Sequence, residues 1–233
     1  MAKQQEMSPR KRLFVVIPAY NEGGMIGKVV KGLRKEGYKR IIVVDDGSSD
    51  STYDIAKKEG AIVYRHRINR GLGGALGTGI RAALDQGAGI IVTFDADGQH
   101  DPADIENVAE PVRRGKADFV IGSRLLNPEG MPLVRRVGNW GFNVITLILF
   151  GVWTTDSQSG LRAMSRKAAE RIEIKTNRME VSSELLTEVK RNRLRISEVP
   201  IKAIYTDYSV SKGQSSLNAF RILFKLIMKR IMK

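Results

Sequence analysis

Short apolar runs alternate with segments of helical periodicity along the first half of the chain. The apolar runs are Leu13–Ile17, Ile41–Val44, Ala61–Tyr64, Ile90–Phe94 and Phe119–Ile121. They are rich in β-branched residues and typical of buried strands. Between them, Ile26, Val29, Val30 and Leu33 recur at helical spacing, as do Ile105, Val108, Ala109 and Val112. This alternation predicts βαβ units and an α/β fold with a mixed, mainly parallel sheet flanked by helices.

The second half of the chain is less regular, and its main apolar segment is Trp140–Trp153. Asn143 and Thr146 interrupt this segment. No apolar run reaches the length of about 18 residues expected of a membrane-spanning helix. We therefore interpret Trp140–Trp153 as a buried or interfacial helix.

Composition narrows the classes of protein and of site. A chain of 233 residues suits one catalytic domain with a short appendage. Cysteine is absent, which excludes disulfides and thiolate ligands, so any metal must have oxygen ligands. Residues 1–12 are polar and basic and lack the apolar core of a signal peptide, so we expect a cytoplasmic protein. The net charge of +14 favours an anionic partner, which leaves nucleic acid, anionic lipid and phosphorylated substrates open.

Polar clusters follow three of the predicted strands, at residues 18–22, 45–50 and 95–97. Open α/β sheets bind ligands outside the carboxyl ends of their strands, so we expect the three clusters to share one edge. Ser49 or Asp50 also suits the N-cap of a helix from Ser51 to Glu59. That explanation leaves Asp45 and Asp46 unassigned.

Asp95 and Asp97 end a buried strand with one residue between them, so their carboxylates can converge on one divalent cation. Magnesium sites with phosphate ligands use one or two such groups. Asp101 and Pro102 are explained as the N-cap and first residue of a helix, whereas Asp95 and Asp97 are not. The pattern indicates a diphosphate held by a metal ion.

The glycine-rich segment at residues 71–79 does not fit a dinucleotide-binding fingerprint. The third glycine of G-x-G-x-x-G would fall at Leu76, and the segment does not directly follow the first strand. Its glycines still allow the backbone to approach a nucleotide closely at a helix start.

Four ordered motifs closely resemble those of the family-2 glycosyltransferases of GT-A fold. They are VVIPAYNE at residues 15–22, VVDDGSSD at 43–50, NRGLG at 69–73 and DADGQH at 95–100. The likeness continues through GSR at 122–124, DSQSG at 156–160 and EVPI at 198–201, which are similar to the dolichyl-phosphate mannose synthase branch. It covers roughly residues 12–216. The resemblance implies transfer of a hexose, with inversion, from a nucleotide sugar of the GDP-mannose or UDP-glucose type to a polyprenyl or dolichyl phosphate.

The resemblance also implies a role for individual residues. The nucleotide site comprises Pro18, Tyr20, Glu22, Asp46 and Asp95, with Asp46 accepting hydrogen bonds from the base. The ligands of Mg²⁺ or Mn²⁺ at the donor diphosphate are Asp95, Asp97 and Gln99. The catalytic set is Asp97 together with Arg124 and Arg135, two arginines that match positions facing the acceptor phosphate. The residues assigned to the acceptor or donor phosphate are Arg136, Asp156, Glu180, Glu184 and Lys212.

The chain departs from the branch at several positions. Asn139 stands where serine is frequent, and residues 213–217 read GQSSL, without the usual lysine, for which Lys212 is the substitute. The C-terminal transmembrane helices that are frequent in the family are absent.

The nature of the acceptor decides whether the reaction needs a general base. A phosphate monoester is largely ionised at neutral pH, because its second pKa is about 6, whereas a sugar hydroxyl needs a base. The usual glutamate-aspartate pair is not evident, since Met179 and Ser183 precede Glu180 and Glu184. This favours a lipid phosphate, although either glutamate can serve as a base for a sugar hydroxyl acceptor in polysaccharide or glycolipid synthesis. Glu188, on the same predicted helix face, is expected to be solvated.

Two other functions compete with glycosyl transfer. A non-catalytic, basic nucleic-acid-binding domain would explain the charge, but aromatic residues make up only 6% and no binding motif is present, so we expect no specific nucleic-acid partner. A nucleotidyltransferase would also use paired aspartates and a metal. It usually needs a basic glycine-rich loop after the first strand, where this chain has Pro-Ala-Tyr-Asn-Glu.

Three segments follow from these patterns. Residues 1–11 are expected to form a disordered basic tail, residues 12–216 a GT-A catalytic domain, and residues 217–233 a basic amphipathic helix on an anionic membrane surface. The cations of this helix are Arg221, Lys225, Lys229 and Lys233, and its apolar side carries Phe220, Leu223, Phe224, Ile227 and Ile231. The protein would then be peripheral on the cytoplasmic face of the membrane.

Overall fold

The computed structural model describes residues 12–128, 133–177, 180–202 and 204. Its strands are β1 (Leu13–Ala19), β2 (Ile41–Asp45), β3 (Ile62–Arg65), β4 (Ile90–Thr93), β5 (Phe119–Ser123), β6 (Arg162–Ser165) and β7 (Ile196–Pro200). Its helices are α1 (Ile26–Lys35), α2 (Thr52–Lys58), α3 (Leu72–Asp85), α4 (Asp104–Arg113), α5 (Leu133–Phe150), α6 (Arg166–Arg171) and α7 (Val181–Arg191). The N-terminal tail, Lys212 and the amphipathic helix at residues 217–233 lie outside the described residues.

The strands form one seven-stranded sheet in the order β3-β2-β1-β4-β6-β5-β7. Neighbouring strands are parallel, except that β6 runs antiparallel to both β4 and β5. The five predicted apolar runs coincide with β1 to β5, and the predicted mixed, mainly parallel sheet flanked by helices is confirmed. β6 and β7 were not among the predicted strands.

Helices cover both faces of the sheet because alternate strand residues point to opposite sides. Val15 and Ile17 of β1 pack with α1, α2 and α4, whereas Phe14 and Val16 pack with α3, α6 and α7. Gly79 lets α3 lie directly on β1, since a Cβ there would be 2.3 Å from Cγ1 of Val16. The sheet is therefore a rigid platform, buried on both sides.

The carboxyl ends of β1, β2 and β4 lie at one edge of this platform. In the paired register Ala19 stands beside Asp45, and Val16 stands beside Thr93. The loops that follow these three strands carry the polar clusters at residues 18–22, 45–50 and 95–97. The prediction that these clusters share one edge is confirmed.

α5 shows an inverted distribution of polar and apolar side chains. The predicted helix at Trp140–Trp153 begins earlier, at Leu133, and ends at Phe150. Asn143 and Thr146 are 2% exposed, whereas Trp140 is 61% and Ile148 74% exposed. The helix is therefore only partly buried: it buries polar side chains and exposes apolar ones. Among the described residues, no helix combines the length and hydropathy needed to cross a bilayer.

Helix starts were predicted with mixed success. Neither Ser49 nor Asp50 is the N-cap of α2, which is Ser51, although Oδ1 of Asp50 accepts hydrogen bonds from Thr52 N at 3.0 Å and from Thr52 Oγ1 at 2.5 Å at the start of that helix. Asp101 is not the N-cap of α4, because that helix begins only at Asp104. The carboxylate of Asp101 instead accepts a hydrogen bond from Ala103 N in the preceding turn. The physical reason is that Asp101 and Pro102 form a turn of their own before the helix.

Candidate active site

The loop after β1 is fixed to the loop after β2. Asn21 adopts a left-handed backbone conformation with a φ of 54°. Its N–H donates to Ser48 Oγ, and its Oδ1 accepts from Ser49 N, both at 2.9 Å. Glu22 N donates to Thr52 Oγ1 at 2.8 Å. These bonds hold Tyr20 at the rim of the edge, where it is 48% exposed and available to stack on a planar ligand.

Asp45 supports the loop after β2. Its side chain is fully buried, its Oδ1 accepts from Ser48 N at 3.0 Å, and its Oδ2 lies 3.1 Å from Arg65 Nε. Arg65 also donates from Nη2 to the carbonyl oxygen of Ser48. Asp45 is therefore explained by the structure of its own turn.

Asp46 is held by three donors from the segment that leads into α3. Its Oδ1 accepts from Arg70 N at 2.9 Å and lies 2.6 Å from His66 Nδ1, while its Oδ2 accepts from Gly71 N at 2.6 Å. The other ring nitrogen of His66 lies 2.9 Å from Thr78 Oγ1. Sequence reasoning missed His66. The available signal was that His66 follows β3, whose neighbour β2 ends beside Asp46.

Asp95 and Asp97 lie where β4 reaches the same edge. Asp95 Oδ2 is 2.9 Å from His100 Nε2. Asp97 accepts a hydrogen bond from Gln99 N at 3.0 Å, and the side-chain amide of Gln99 also donates to it. The carboxylate of Asp95 lies against the backbone of Gly160, where a Cβ would be 2.0 Å from Oδ2. Gln99 thus orients Asp97, and the backbone of the second half of the chain confines Asp95.

The pKa values of the two aspartates shift in opposite directions. Burial and the negative charge of Asp95 raise the pKa of Asp97 above its ordinary value. Burial acts in the same direction on Asp95, but the hydrogen bond from His100 and the positive charges of Arg162 and Arg124 outweigh it and lower that pKa. Such a divergence arises when two like charges share a site, and a cation between them would relieve it.

The donor atoms fit a hard divalent cation that is also held by its substrate. Within the described ranges, no cluster of three or more histidine, aspartate or glutamate side chains could hold a metal. A cation held by Asp95 and Asp97 would need its other ligands from diphosphate oxygens and water. This is the usual situation for Mg²⁺ beside phosphates.

Arg124 is held in place by Asp156. The resemblance predicts that this arginine faces the acceptor phosphate. Its N, Nε and Nη2 all donate to Asp156, at 3.0, 2.7 and 2.8 Å. The carboxylate of Asp156 is fully buried. In the structure the Asp156 carboxylate orients the Arg124 guanidinium, so a role of Asp156 at a phosphate would act through Arg124.

Two residues that the sequence analysis did not assign to the site hold the loop of Asp156. Glu198 of β7 accepts from Thr154 Oγ1 at 2.6 Å and from Thr155 N at 2.8 Å. Asn143 of α5 accepts from Ser157 N at 3.0 Å. Asn143, one of the two polar residues that interrupt the apolar run of α5, thus contacts the loop of Asp156 rather than solvent.

Arg162, at the start of β6, is a further residue that the sequence analysis did not assign to the site. It is 3% exposed, and its Nη2 donates to Ser182 Oγ at 2.9 Å. Burial lowers the pKa of Arg162 to about 10, which still leaves it charged at neutral pH. Together with Arg124 it makes the surroundings of Asp95 electropositive and suited to an anionic ligand.

The remaining predicted residues are distributed around this centre. Arg136 donates from Nη2 to the carbonyl oxygen of Pro128 at 2.6 Å, which ties α5 to the loop after β5. The side chain of Arg135 lies outside the described residues. Pro18 lies near the end of β1, and Glu22 lies in the loop between β1 and α1, both at the edge formed by the carboxyl ends of the strands.

The glutamates of α7 have structural contacts. Glu184 accepts from Lys175 N at 3.0 Å and from Thr176 N at 2.9 Å, one bond to each carboxylate oxygen. Glu180 is the N-cap residue of α7. The prediction that Glu188 is solvated is wrong, since it is 6% exposed and accepts a hydrogen bond from Glu173 N. Its partner lies in the segment that folds back over α7, which helical spacing alone cannot reveal.

Known proteins are similar to this chain in sequence and in fold. Residues 14–173 match the family model described as glycosyl transferase family 2. Over 245 residues the chain is 43% identical to the UDP-N-acetylglucosamine–dolichyl-phosphate N-acetylglucosaminyltransferase of Methanococcus voltae, covering 96% of this chain and 98% of that one. Over 228 residues it is 32% identical to the undecaprenyl-phosphate mannosyltransferase of Micrococcus luteus, covering 90% of this chain and 93% of the relative.

A solved structure shows the same architecture at lower identity. It is the crystal structure of glucosyl-3-phosphoglycerate synthase from Mycobacterium tuberculosis in complex with Mn²⁺, UDP-glucose and phosphoglyceric acid. The TM-score is 0.69 at 22% identity, covering 94% of this chain and 79% of that chain. This similarity confirms the predicted GT-A fold.

Proposed function

The chain belongs to glycosyl transferase family 2, and on that premise we propose that it transfers a hexose-type sugar from a nucleotide sugar to a polyprenyl phosphate, with inversion at the anomeric carbon. The observation that carries this proposal is the pairing of Asp95 and Asp97 beside Arg124 and Arg162 at one sheet edge. The site thus combines carboxylates, which can bind a cation, with guanidinium groups, which can bind anions. The transfer needs both, because a diphosphate would leave and a phosphate would attack at the same carbon. The relative at 43% identity, named for a dolichyl-phosphate acceptor, supports the same acceptor class.

The donor side of the site would bind and orient the nucleotide. Tyr20 is placed to stack on the base, and Asp46 to accept a hydrogen bond from it. Asp95 and Asp97 would hold Mg²⁺ or Mn²⁺ against the diphosphate, with Gln99 keeping Asp97 in position. When bound, the cation stabilises the negative charge that develops on the leaving diphosphate.

The acceptor side would orient a nucleophile that needs no deprotonation. Arg124, held by Asp156, and Arg135 would position the acceptor phosphate, an anion at neutral pH. A sugar hydroxyl would instead require a general base. Glu184, a candidate for that base, has each carboxylate oxygen bonded to the backbone of residues 175 and 176. This occupation favours the phosphate over the hydroxyl acceptor.

The inverted helix α5 supports an anionic membrane surface as the place where the acceptor is met. Trp140 and Ile148 face outward, and the same helix carries Asn143, which holds the loop of Asp156. A polyprenyl phosphate remains in the bilayer, so the enzyme must bind at its surface. We propose a peripheral position on the cytoplasmic face, with α5 and the segment at residues 217–233 both in contact with lipid.

The test is a donor screen with a short-chain polyprenyl phosphate, following the released nucleoside diphosphate and the glycolipid product. We expect transfer that requires Mn²⁺ or Mg²⁺, gives a product of inverted configuration, and is absent with a polyprenyl alcohol. Transfer to a sugar hydroxyl but not to the lipid phosphate would replace this proposal with the alternative acceptor class. Release of pyrophosphate instead of a nucleoside diphosphate would indicate a nucleotidyltransferase.

A further inference from the structure

We infer that His100 is a positioning residue that holds the carboxylate of Asp95 in one orientation, and that this rigidity makes the cation site favour Mg²⁺ over Ca²⁺. This inference rests on the proposed function, because it concerns the cation that Asp95 and Asp97 would hold. Three features support the role: the position of His100 beneath Asp95, the lack of another described partner for its ring, and the fixed backbone on both sides of the carboxylate.

His100 lies beneath a carboxylate that a ligand can reach. The side chain of Asp95 is 38% exposed, whereas that of His100 is 1% exposed. His100 Nε2 is 2.9 Å from Asp95 Oδ2. An ionised carboxylate only accepts hydrogen bonds, so Nε2 donates. Asp95 is therefore open to solvent on one side and held from the interior by the imidazole ring.

Packing alone does not account for a histidine at this position. The ring lies edge-on to Phe94, with the two ring centroids 5.5 Å apart, and a phenylalanine would make the same contact. Within the described residues, His100 Nδ1 is buried and has no hydrogen-bond partner. Burial of such a nitrogen is unfavourable. What the histidine provides and an apolar ring does not is the hydrogen bond to Asp95.

The loop that carries both residues is fixed at its two ends. Phe94 N donates to the carbonyl oxygen of Val16 at 2.9 Å, and Ile204 N donates to that of Gln99 at 3.0 Å. In the turn between them Gly98 has a φ of 75°, a conformation that side chains rarely adopt. The imidazole ring therefore approaches the carboxylate from a backbone that is held in place.

The opposite side of the carboxylate is also confined. A Cβ at Gly160 would be 2.0 Å from Asp95 Oδ2 and 2.1 Å from Oδ1, so the backbone of this glycine lies directly against the carboxylate. Thr93 Oγ1 donates to the carbonyl oxygen of Gly160 at 2.7 Å, which fixes that backbone to β4. Rotation of the carboxylate would break its hydrogen bond to His100, and Gly160 leaves it no room on that side.

Rigid ligands discriminate between divalent cations. Mg²⁺ requires nearly ideal octahedral geometry at about 2.1 Å, whereas Ca²⁺ accepts irregular arrangements of oxygens at about 2.4 Å. A carboxylate held in one orientation suits the strict geometry of Mg²⁺ and gives Ca²⁺ no comparable advantage. A loosened Asp95 should therefore bind Mg²⁺ less well, with a smaller effect on Ca²⁺.

Calorimetric titration of the full-length protein with UDP and with GDP, in excess Mg²⁺, in excess Ca²⁺ and in EDTA, tests this inference. The nucleotide that binds more tightly is then used for the variants. For the parent we expect tighter binding with Mg²⁺ than with Ca²⁺. His100→Phe keeps a ring but removes the donor, and it should weaken binding at least about tenfold with Mg²⁺ and less with Ca²⁺. His100→Gln, whose side-chain amide can donate in place of Nε2, should restore most of the ratio of Mg²⁺ to Ca²⁺ affinity.

Phe94→Leu is the control for packing, because it changes the apolar neighbour of the ring and keeps the contact between His100 Nε2 and Asp95. We expect it to lower the melting temperature and to leave the ratio of Mg²⁺ to Ca²⁺ affinity near that of the parent. A ratio that falls as far in Phe94→Leu as in His100→Phe would assign the effect to packing and overturn the inference.

The outcomes separate this inference from the proposed function. Equal binding of the parent with Mg²⁺ and with Ca²⁺, or a ratio unchanged in folded His100→Phe, would overturn the inference and leave a metal-dependent glycosyltransferase. Failure to bind either nucleotide, or binding that EDTA does not weaken, would overturn the proposed metal-dependent function itself. The comparison of the two cations on the parent protein needs no variant, so the test remains decisive if His100→Phe does not fold.

Discussion

Asp97 is the residue whose charge depends most on what binds beside it. Burial and the neighbouring Asp95 raise its pKa, so the empty pair resists carrying two full negative charges. A divalent cation reverses this balance by attracting both carboxylates. Binding of a metal ion together with the diphosphate would thus offset the repulsion between the two carboxylates.

Replacement of this carboxylate tests its role directly. We expect Asp97→Asn to lower turnover by at least about 100-fold at saturating Mn²⁺, since a principal electrostatic stabiliser of the leaving group is lost. The fold should survive, because within the part of the chain that the structure describes the side chain of Asp97 is bonded to Gln99, its neighbour in the same loop. Turnover and the melting temperature are measured together. Asp101→Asn, the same chemical change in the nearby turn, is the control and should retain activity, whereas equal turnover of Asp97→Asn and the parent would exclude the metal role.

Gly160 places a second constraint on the same carboxylates. A Cβ at this position would be 2.0 Å from Asp95 Oδ2, so Gly160→Ala must displace the carboxylate. We expect weaker Mn²⁺ binding and turnover lowered by about 100-fold, as a displacement of about 1 Å at a reacting centre can cause. Binding is followed by calorimetry with UDP present. Gly138→Ala, whose Cβ would meet nothing within 4 Å, should match the parent. Unchanged Mn²⁺ affinity in Gly160→Ala would show that Asp95 is not a ligand.

The sequence located Asp46 but not the partners that define its chemistry. Alternation of strands and polar loops placed it at the ligand-binding edge, and the structure agrees. His66 reaches it from the next strand of the sheet, and Thr78 from the following helix. Such contacts depend on how strands pair and helices pack, and no local pattern of residues encodes them. Arg162 and Glu198 were missed for the same reason.

Elements were predictable where burial on both faces leaves an unbroken apolar run. β1, β2 and β4 consist almost entirely of such residues, whereas β6 begins with Arg162 and ends with Ser165. β6 is nevertheless central, because the buried arginine is matched by charges at the site rather than by solvent. β7 lies at an edge of the sheet, and its sequence alternates only weakly between apolar and polar residues. Its Glu198 binds the loop that contains Thr154 and Thr155. The periodicity of α7 was visible, but the segment that covers Glu188 was not.

An ion pair joins the starts of β5 and β7. Arg195 donates from N and Nε to Oδ2 of Asp118 at 3.0 Å, and from Nη2 to Oδ1 at 3.1 Å. These bonds lower the pKa of Asp118 to about 2. Because this pKa is below the value of about 4 in the unfolded chain, the pair stabilises the fold fully above pH about 4 and progressively less as the pH falls towards 2.

Removal of this pair should therefore matter only where Asp118 is ionised. We expect Arg195→Gln to lower the free energy of unfolding at pH 7 only modestly, because the Arg195 side chain is 57% exposed to water. The difference in midpoint denaturant concentration between the variant and the parent should shrink as the pH falls from about 4 towards 2. Lys116→Gln, which removes a nearby exposed positive charge, should have little effect across this range. A difference that stays the same from pH 7 to pH 2 would assign the stabilisation to packing of Arg195 instead.

At the scale of the whole molecule, the charge of +14 and the exposed apolar side of α5 point to two kinds of lipid contact. Each cation contributes about 1 kcal/mol to binding at an anionic leaflet, and salt screens this attraction. The contribution from burying Trp140 and Ile148 in lipid is not screened by salt. We expect truncation after Ser216 to reduce binding to anionic liposomes at least about tenfold at low salt and little at high salt. The double substitution Trp140→Ser and Ile148→Ser should reduce binding at both.

Sedimentation with anionic and neutral liposomes measures these two contributions. Ile68→Ser is a matched control, since Ile68 is 72% exposed, almost as much as Ile148, but precedes α3 rather than lying on α5. It should leave binding unchanged. Salt-sensitive binding that persists in the truncated protein would move the electrostatic contact elsewhere on the basic surface. Binding unaffected by the double substitution would leave α5 without a lipid role.

Because β6 runs antiparallel to its neighbours, the two halves of the chain approach the site from opposite directions and would contribute different groups to the reaction. A strand that runs against its neighbours enters the sheet at the edge where they leave it, so Arg162 and the loop of Asp156 arrive beside Asp95 from the opposite direction. In the proposed function, the loops after β1, β2 and β4 would surround the base and the diphosphate, whereas Arg124 and the chain around β6 would face the attacking group. Both sets reach Asp95, which is influenced by the charges of Arg162 and Arg124 and is contacted by Gly160. Substitutions in the first set would then alter the choice of donor, and substitutions in the second set the choice of acceptor.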